Sequence, residues 1–201
     1  MSAPPLRGGA GGYSSAMRNR RGFTIIELMI VLAIAAVLIA TGIPAMQDWM
    51  LNSKRTAALN DFLGGMLAAR SGAVTRNARV AACPAKDPTD ADPVCSGEKD
   101  WATGWIIFAD PDNDHDRAAD EELIAVGAAL PNRTLIGNVE YYTYRANGRL
   151  ENDGDPEADD GWYLLCDSRG DAGGRFVTIP LSGRPQISET DLNGDAAADC
   201  D

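Results

Sequence analysis

The sequence of 201 residues contains only one histidine, His115. A Ser-His-Asp triad would have to use that histidine, which lies inside an acidic stretch, and the chain has no nucleophile elbow, P-loop or HExxH motif. Carboxylate pairs abound, but a glycosidase-like pair also needs a cleft in which the two pKa values are driven apart. The sequence therefore predicts a protein that is not an enzyme.

Basic residues are scarce, because 18 Lys and Arg oppose 29 Asp and Glu. Four of the basic residues precede Gly22, so 14 (18 less 4) face all 29 acids in the rest of the chain. A body this acidic repels nucleic acid and anionic lipid. Nucleic acid is therefore an unexpected partner.

Cysteine is also infrequent, and none of the four cysteines lies in a CxxC pair or near a histidine that could complete a zinc site. Two disulfides and an oxidising compartment are the expected alternative. Three connectivities are open for the four cysteines. Loop economy favours the pairs Cys83 with Cys95 and Cys166 with Cys200. Four reduced, buried thiols in a cytosolic domain are the competing interpretation.

One long hydrophobic run covers residues 23–46, and nothing polar interrupts residues 28–40. At about 1.5 Å per residue the run is long enough to cross a hydrocarbon core. The positive-inside bias predicts a cytoplasmic N-terminus and an exported body, because three arginines lie just before the run, Arg18, Arg20 and Arg21. We therefore expect a single transmembrane helix.

The stretch RRGFTIIEL, residues 20–28, resembles the prepilin signature of type IV pilins and type II secretion pseudopilins. The resemblance implies that a membrane peptidase cuts between Gly22 and Phe23 and then methylates the new N-terminus. Residues 1–22 would be the leader, or a shorter one if translation starts at Met17.

An acid, Glu27, lies near the start of the apolar run. A lone carboxylate at membrane depth costs a few kcal/mol, so we expect it to be neutralised or functional. The resemblance implies that Glu27 meets the freed amine of a neighbouring subunit during filament assembly. An acid that is tolerated near the membrane interface, with no role, is the alternative.

Residues 47–78 are predicted to continue the helix as an amphipathic segment, beyond a kink at Gly42 and Pro44. Its apolar face has the spacing i, i+3, i+4, i+7 and i+8, formed by Leu59, Phe62, Leu63, Met66 and Leu67. Short apolar runs then predict antiparallel strands over residues 80–83, 104–109, 123–128, 139–145, 161–166 and 175–181, the last continuing over 184–188.

The head, residues 79–201, resembles the GspH/FimT (FimU) branch of pilin-like proteins through the stretches DWATGWIIFADPDND, YYTYRANGRL, GWYLLC and VTIPLSGRPQIS. The resemblance implies an α+β, pilin-like fold, in which a long N-terminal α-helix, transmembrane in its first half, packs on an antiparallel β-sheet or sandwich head. It implies a minor pilin or pseudopilin of the bacterial inner membrane with a periplasmic head. Such a subunit primes or caps a filament of a type II secretion system or type IV pilus, with other pilins, the prepilin peptidase/methyltransferase and membrane lipid as partners.

Three alternatives remain open. DNA-uptake members of the FimT type carry a Gly-Arg-x-Arg motif, but here Gly183 and Arg184 are followed by Pro185 and Gln186, which removes one phosphate contact. A calcium-stabilised tip adhesin is the second alternative. An anchored periplasmic domain that never polymerises is the third.

Acidic residues alternate in DPDNDHDRAADE, residues 110–121, so that positions 1, 3, 5 and 12 of the calcium-loop template are Asp110, Asp112, Asp114 and Glu121. His115 stands where that template has glycine. A second stretch matches positions 1, 3, 5 and 9 with Asp191, Asn193, Asp195 and Asp199. Ca²⁺ is therefore a candidate cofactor, whereas the competing interpretation is a set of solvated turns.

Overall fold

A computed structural model of the chain describes residues 22–151, residues 161–188 and residue 200. One α-helix, α1, spans Ile25–Arg76 and continues through Gly42 and Pro44 without a break. The kink at those two residues stays a prediction. The chain divides into two compact units, Met1–Ala45 and Met46–Asp201.

The C-terminal end of α1 comes two residues before the expected boundary at residue 78. Asn77 adopts the left-handed conformation, with φ 51°, and the N–H of Ala78 donates to the Ala73 carbonyl at 3.3 Å. This arrangement caps the last carbonyl groups and ends the helix. Asparagine is a residue that tolerates the left-handed conformation.

The part of α1 within the second unit buries one narrow face. Its buried residues recur every three or four positions and are Ala58, Leu59, Phe62, Gly65, Met66, Ala69, Gly72 and Ala73. The expected face was partly wrong, because Leu67 is 48% exposed and Leu63 is only half-buried. The spacing of large apolar residues could not identify the buried face, because small residues form much of it.

Two four-stranded antiparallel sheets complete the second unit. The strands in chain order are β1 Val80–Pro84, β2 Trp105–Ala109, β3 Leu123–Gly127, β4 Thr134–Gly137, β5 Tyr142–Tyr144, β6 Gly161–Asp167, β7 Gly170–Ile179 and β8 Gln186–Ser188. The first sheet has the order β3-β2-β1-β5, and the second has the order β4-β6-β7-β8. A short 3-10 helix, Trp101–Thr103, precedes β2.

The strand prediction was wrong at three places. The segment over residues 184–188, expected to continue the last strand, instead contains a separate strand, β8, which pairs antiparallel with β7. β4 was not expected, and the strand expected over residues 139–145 is reduced to β5. Hydrogen bonds to single groups hold the segment before β5, since the Val139 carbonyl accepts from the indole N–H of Trp101 at 3.2 Å. The Asn138 side-chain oxygen likewise accepts from the N–H of Trp162 at 2.9 Å. An apolar pattern cannot distinguish such a pinned loop from a strand.

The main hydrophobic core contains residues from α1 and from both sheets. Phe62 packs edge-on against Trp101, Trp105 and Tyr163, with ring centroids 5.8, 6.4 and 4.5 Å apart. A smaller cluster lies on the other face of the first sheet and contains Ala81, Cys83, Ala85, Ile106 and Phe108. β1 is therefore buried on both faces, as are the first four residues of β2.

Candidate functional site

Thr24 fixes the N-terminal end of α1. The N–H of Glu27 donates to the Thr24 hydroxyl oxygen at 3.2 Å, and the N–H of Leu28 donates to the Thr24 carbonyl at 3.1 Å. Glu27 is the acid of this first turn, where the helix dipole favours negative charge. Thr24 was not among the residues expected from the sequence, although Thr-x-x-Glu before an apolar run is a capping-box pattern.

The peptide bond between Gly22 and Phe23 lies outside α1. Both residues are exposed. Backbone that is exposed and free of helical hydrogen bonds is the kind that proteases cut. The local geometry is therefore compatible with cleavage at this bond.

The first part of α1 exposes apolar side chains on every face. Ile25, Leu32 and Leu38 are 81%, 59% and 66% exposed, and their neighbours in the run are similarly open. Within the described part of the chain, α1 is the one helix long and apolar enough to cross a membrane, judged by length and composition. A helix that is apolar all round needs apolar surroundings on all sides. This segment is therefore a candidate interface with lipid or with other helices.

Two disulfides lie in the second unit. Cys83 is bonded to Cys95 and Cys166 to Cys200, at sequence separations of 12 and 34, and these are the pairs that loop economy favours. The first joins β1 to the segment before the 3-10 helix, and the second joins β6 to the C-terminal region. Closing such loops restricts the unfolded chain.

The loop between β2 and β3 brings together three of the predicted calcium ligands. One carboxylate oxygen from each of Asp110, Asp112 and Asp114 lies within 4.8 Å of the others. Asp110 is completely buried, and its N–H donates to the Arg79 carbonyl at 3.2 Å. Burial raises the pKa of the Asp110 carboxyl, the Asn113 N–H and His115 lower it, and the neighbouring Asp112 and Asp114 raise it again, with a net rise.

Glu121 lies outside this set of converging oxygens. Its carboxylate accepts a hydrogen bond from the N–H of Ala118 at 3.0 Å. Burial raises the pKa of Glu121, and the charges of the three aspartates add to the effect. The second predicted set, Asp191, Asn193, Asp195 and Asp199, lies outside the described residues.

The stretch that resembles the DNA-uptake motif forms the turn before β8. Gly183 has φ 71°, and a Cβ atom there would overlap the carbonyl oxygen of Gly148. Glycine is needed at this position for backbone geometry. Arg184 is exposed, and Gln186 begins β8. DNA uptake therefore stays an alternative, on a motif that lacks its second arginine.

Comparison with protein families matches the two parts of the chain separately. The family model described as Type II transport protein GspH matches residues 58–183. The prokaryotic N-terminal methylation motif matches residues 17–43. The second match contains Gly22, Phe23 and Glu27, and the first contains the buried face of α1 and most of the head.

Curated relatives match over shorter spans. Prepilin peptidase-dependent protein D of Escherichia coli is 53% identical over 47 residues, which are 23% of this chain and 30% of that protein. Fimbrial protein Q of Moraxella bovis is 42% identical over 52 residues, which are 26% of this chain and 33% of that protein. The matched span is therefore about a third of the length of these relatives.

A solved structure matches over most of its length. The type IV minor pilin FimU of Pseudomonas aeruginosa superposes with a TM-score of 0.50 and 22% identity. The match covers 66% of this chain and 91% of that one. At this identity the match shows that the two proteins share the pilin fold.

Proposed function

Since this chain belongs to the GspH family of type II transport proteins, we propose that it is a minor pilin or pseudopilin. In this proposal the chain is a structural, non-catalytic subunit that primes or caps a periplasmic filament. The filament is that of a type II secretion system or a type IV pilus. The other subunits are pilin-like proteins that pack against the apolar half of α1.

The observation that carries the proposal is an apolar helix, exposed on every face, directly behind a capped turn that contains Glu27. Such a surface is stable in lipid or against similar helices, because water contact with apolar area is costly. A pilin subunit uses both environments in succession. Before assembly its helix lies in the membrane, and after assembly the helix packs against other helices in the filament.

Glu27 sets the register of that packing. Cleavage after Gly22 frees a positive amine at Phe23, four residues before Glu27. In a dry filament core, leaving one member of such a pair without its partner costs about 3–5 kcal/mol. A subunit that docks out of register leaves both charges unpaired. Pairing between Glu27 and the amine of a neighbouring subunit therefore selects one arrangement.

The proposed location is the bacterial inner membrane, with a cytoplasmic leader and a periplasmic head. Arginines just before the apolar run, Arg18, Arg20 and Arg21, support this orientation. The disulfides Cys83–Cys95 and Cys166–Cys200 support an oxidising compartment for the head. The arginines and the disulfides independently support the same side of the membrane for the head.

N-terminal mass spectrometry of the mature protein tests the proposal. We expect a chain that begins with N-methylated Phe23, and an uncut, heavier chain from cells that lack the prepilin peptidase. An anchored domain that never polymerises would have the same mass in both strains, and that result would overturn the proposal. Proteins that copurify with the filament then distinguish a secretion pseudopilus from a type IV pilus.

A further inference from the structure

The loop between β2 and β3 holds more negative charge than its own cations neutralise. Residues 110–121 contain six acids, one arginine and one histidine. The arginine, Arg117, hydrogen-bonds to the Asp92 carboxylate and to the carbonyl groups of Pro93 and Glu121. Arg79, at the base of the loop, bonds to Glu151 at 2.9 Å. The side chains of both arginines thus hydrogen-bond to groups other than the carboxylates of the loop.

Three carboxylates of this loop nevertheless converge. One oxygen from each of Asp110, Asp112 and Asp114 lies within 4.8 Å of the others. Two oxygens on opposite sides of a calcium ion are about 4.6–5.2 Å apart, since each Ca–O distance is about 2.3–2.6 Å. The spacing therefore fits a single coordination sphere. Clustering of acids by itself does not establish a site, because exposed acids often cluster.

The second observation is a buried oxygen without a partner. Asp110 is 0% exposed, and its Oδ1 accepts from the N–H of Asn113 at 2.7 Å. Its Oδ2 has no hydrogen-bond partner within the described residues, and neither does Oδ1 of Asn113. A buried charged oxygen left unpaired costs more than a neutral one, so this arrangement calls for a counter-charge.

His115 is the nearby group that could supply the counter-charge. Its Nδ1 lies 3.5 Å from Oδ2 of Asp110 and 3.2 Å from the hydroxyl of Thr143, and its ring stacks on Tyr141 at 4.0 Å. The distance to Asp110 is too long for a good hydrogen bond, whereas Thr143 lies within hydrogen-bond range. A neutral His115 therefore leaves Oδ2 without a counter-charge.

We propose that this loop binds one Ca²⁺, with carboxylate ligands from Asp110, Asp112 and Asp114. Asp110 is the fixed ligand, since the end of β2 holds it in the interior. Asp112 and Asp114 are exposed ligands that complete the carboxylate face. Glu121 adds negative potential from the far end of the loop, and water molecules fill the remaining positions of the six to eight that Ca²⁺ requires.

His115 occupies the position where the calcium-loop template has glycine, but its backbone adopts the conformation that this position requires. His115 has φ 66° and Asn113 has φ 63°, so both are left-handed. Glycine is favoured in such templates because it adopts this conformation without strain. Here Asn and His, which occur in the left-handed region more often than most residues, take the same shape.

The ligand set favours Ca²⁺ over Mg²⁺. Mg²⁺ requires near-ideal octahedral geometry at about 2.0–2.1 Å and gives up its water reluctantly. Three carboxylates on a loop with its own left-handed turns suit the larger, more tolerant ion. We expect a Kd of about 0.1–1 mM, the range of extracellular calcium modules.

The test is calorimetric titration of CaCl₂ into the full-length chain in detergent, after chelator treatment and dialysis. Wild-type protein should bind one Ca²⁺ per chain, and MgCl₂ should bind at least about 10-fold more weakly. Asp112→Asn and Asp114→Asn should each weaken Ca²⁺ binding by about 10-fold or more, since each removes a charged ligand. Asp120→Asn, the same charge change at an exposed position of the same loop, should leave the Kd unchanged.

Three results would overturn the proposal. They are no saturable heat up to about 10 mM Ca²⁺, equal weakening by Asp120→Asn, and equal affinity for Mg²⁺. Circular dichroism of each variant verifies the fold, and none of these changes removes the buried Asp110. As a second measurement, the same Ca²⁺ concentration should raise the unfolding temperature of the wild type and of Asp120→Asn more than that of Asp112→Asn.

Discussion

The two parts of α1 have the same secondary structure and opposite surroundings. The large apolar residues before Met50 are exposed, as Ile34 and Leu38 show at 56% and 66%. The buried face beyond them is built largely from small residues, and Phe62 and Met66 are its largest members. The second part therefore satisfies its apolar surface within the chain. The first part has apolar surface that only lipid or other helices can cover.

Polar contacts reinforce the second part of α1. Arg55 donates to the Gly173 carbonyl at 3.0 Å, and Arg70 donates to the Gly148 carbonyl at 2.8 Å. Asn52 accepts from Arg169 at 2.9 Å. Hydrogen bonds to charged donors are stronger than neutral ones. The second part of α1 thus stabilises the head, whereas the first part offers apolar surface for contact with lipid or other helices.

Truncation of Phe62 should have the largest effect on the head. Phe62 is 1% exposed and touches three aromatic rings, so Phe62→Ala should lower the free energy of unfolding by about 3–5 kcal/mol. Denaturant unfolding in detergent, followed by tryptophan fluorescence, measures this change. Leu38→Ala, in the exposed part, should alter the same quantity by less than about 0.5 kcal/mol. Equal losses from both variants would refute the distinction.

Substitution of two adjacent glycines on α1 by alanine should change the stability of the head in opposite directions. A Cβ at Gly65 would overlap the indole of Trp105, so Gly65→Ala should lower the free energy of unfolding by about 1–3 kcal/mol. The indole cannot easily move away, because a Cβ at Gly127 would overlap it as well. Gly64 has open space, so Gly64→Ala should stabilise by up to about 1 kcal/mol through helix propensity. Thermal unfolding of the two variants provides the check. A stabilising Gly65→Ala would show that the helix does not pack on Trp105 as described.

Low pH should weaken the hydrogen-bonded contact between α1 and the pair Asp167–Arg169. Arg169 donates to both oxygens of Asp167, and these hydrogen bonds lower the pKa of Asp167 below its usual value of 3.8. Arg169 also donates to the side-chain oxygen of Asn52 in α1. Because the folded pKa is lowered, this stabilisation is complete above the unfolded pKa and is lost as pH falls through the folded pKa.

Unfolding free energies measured between pH 7 and pH 2 test this attachment. The wild type should lose stability more steeply below about pH 4 than Asp167→Asn, which cannot ionise. At pH 7 the variant should be less stable by about 1–3 kcal/mol, because a hydrogen bond to a charged group is lost. Identical slopes for the two proteins would contradict the assigned ion pair.

The long helix, the disulfide pairs and the acidic cluster could be predicted from the sequence. The continuous apolar run and the amphipathic segment predicted one long helix, and α1 spans Ile25–Arg76. Loop economy favoured the two cysteine pairs that the structure contains. The spacing of Asp110, Asp112 and Asp114 predicted that their carboxylates would converge. The helix and carboxylate signals lie in residues close together in sequence, and loop economy had only three connectivities of the four cysteines to choose from.

The missed features depend on contacts between distant residues. β4 is a short strand with alternating exposure, and its partner β6 begins 24 residues after its last residue, Gly137. The helix face was misjudged because Trp105 packs against Gly65, which no apolar pattern marks. Burial of Asp110 likewise depends on how β1 and β2 pack, so spacing alone could not reveal its unpaired oxygen.

Glu27 provides the most direct test of the account, because it has two separable roles. Its role in the capped first turn depends only on its own helix, and a glutamine there can still act in a capping box. Its proposed pairing with the Phe23 amine of a neighbour requires the charge. Glu27→Gln and Glu27→Ala therefore distinguish helix capping from subunit docking.

The decisive measurement is the amount of each variant in sheared, purified filaments, relative to its amount in the membrane. Charge pairing predicts that both Glu27→Gln and Glu27→Ala fall at least about 10-fold below wild type, because an unpaired amine in the filament core costs several kcal/mol. Incorporation of Glu27→Gln at the wild-type level would contradict the account.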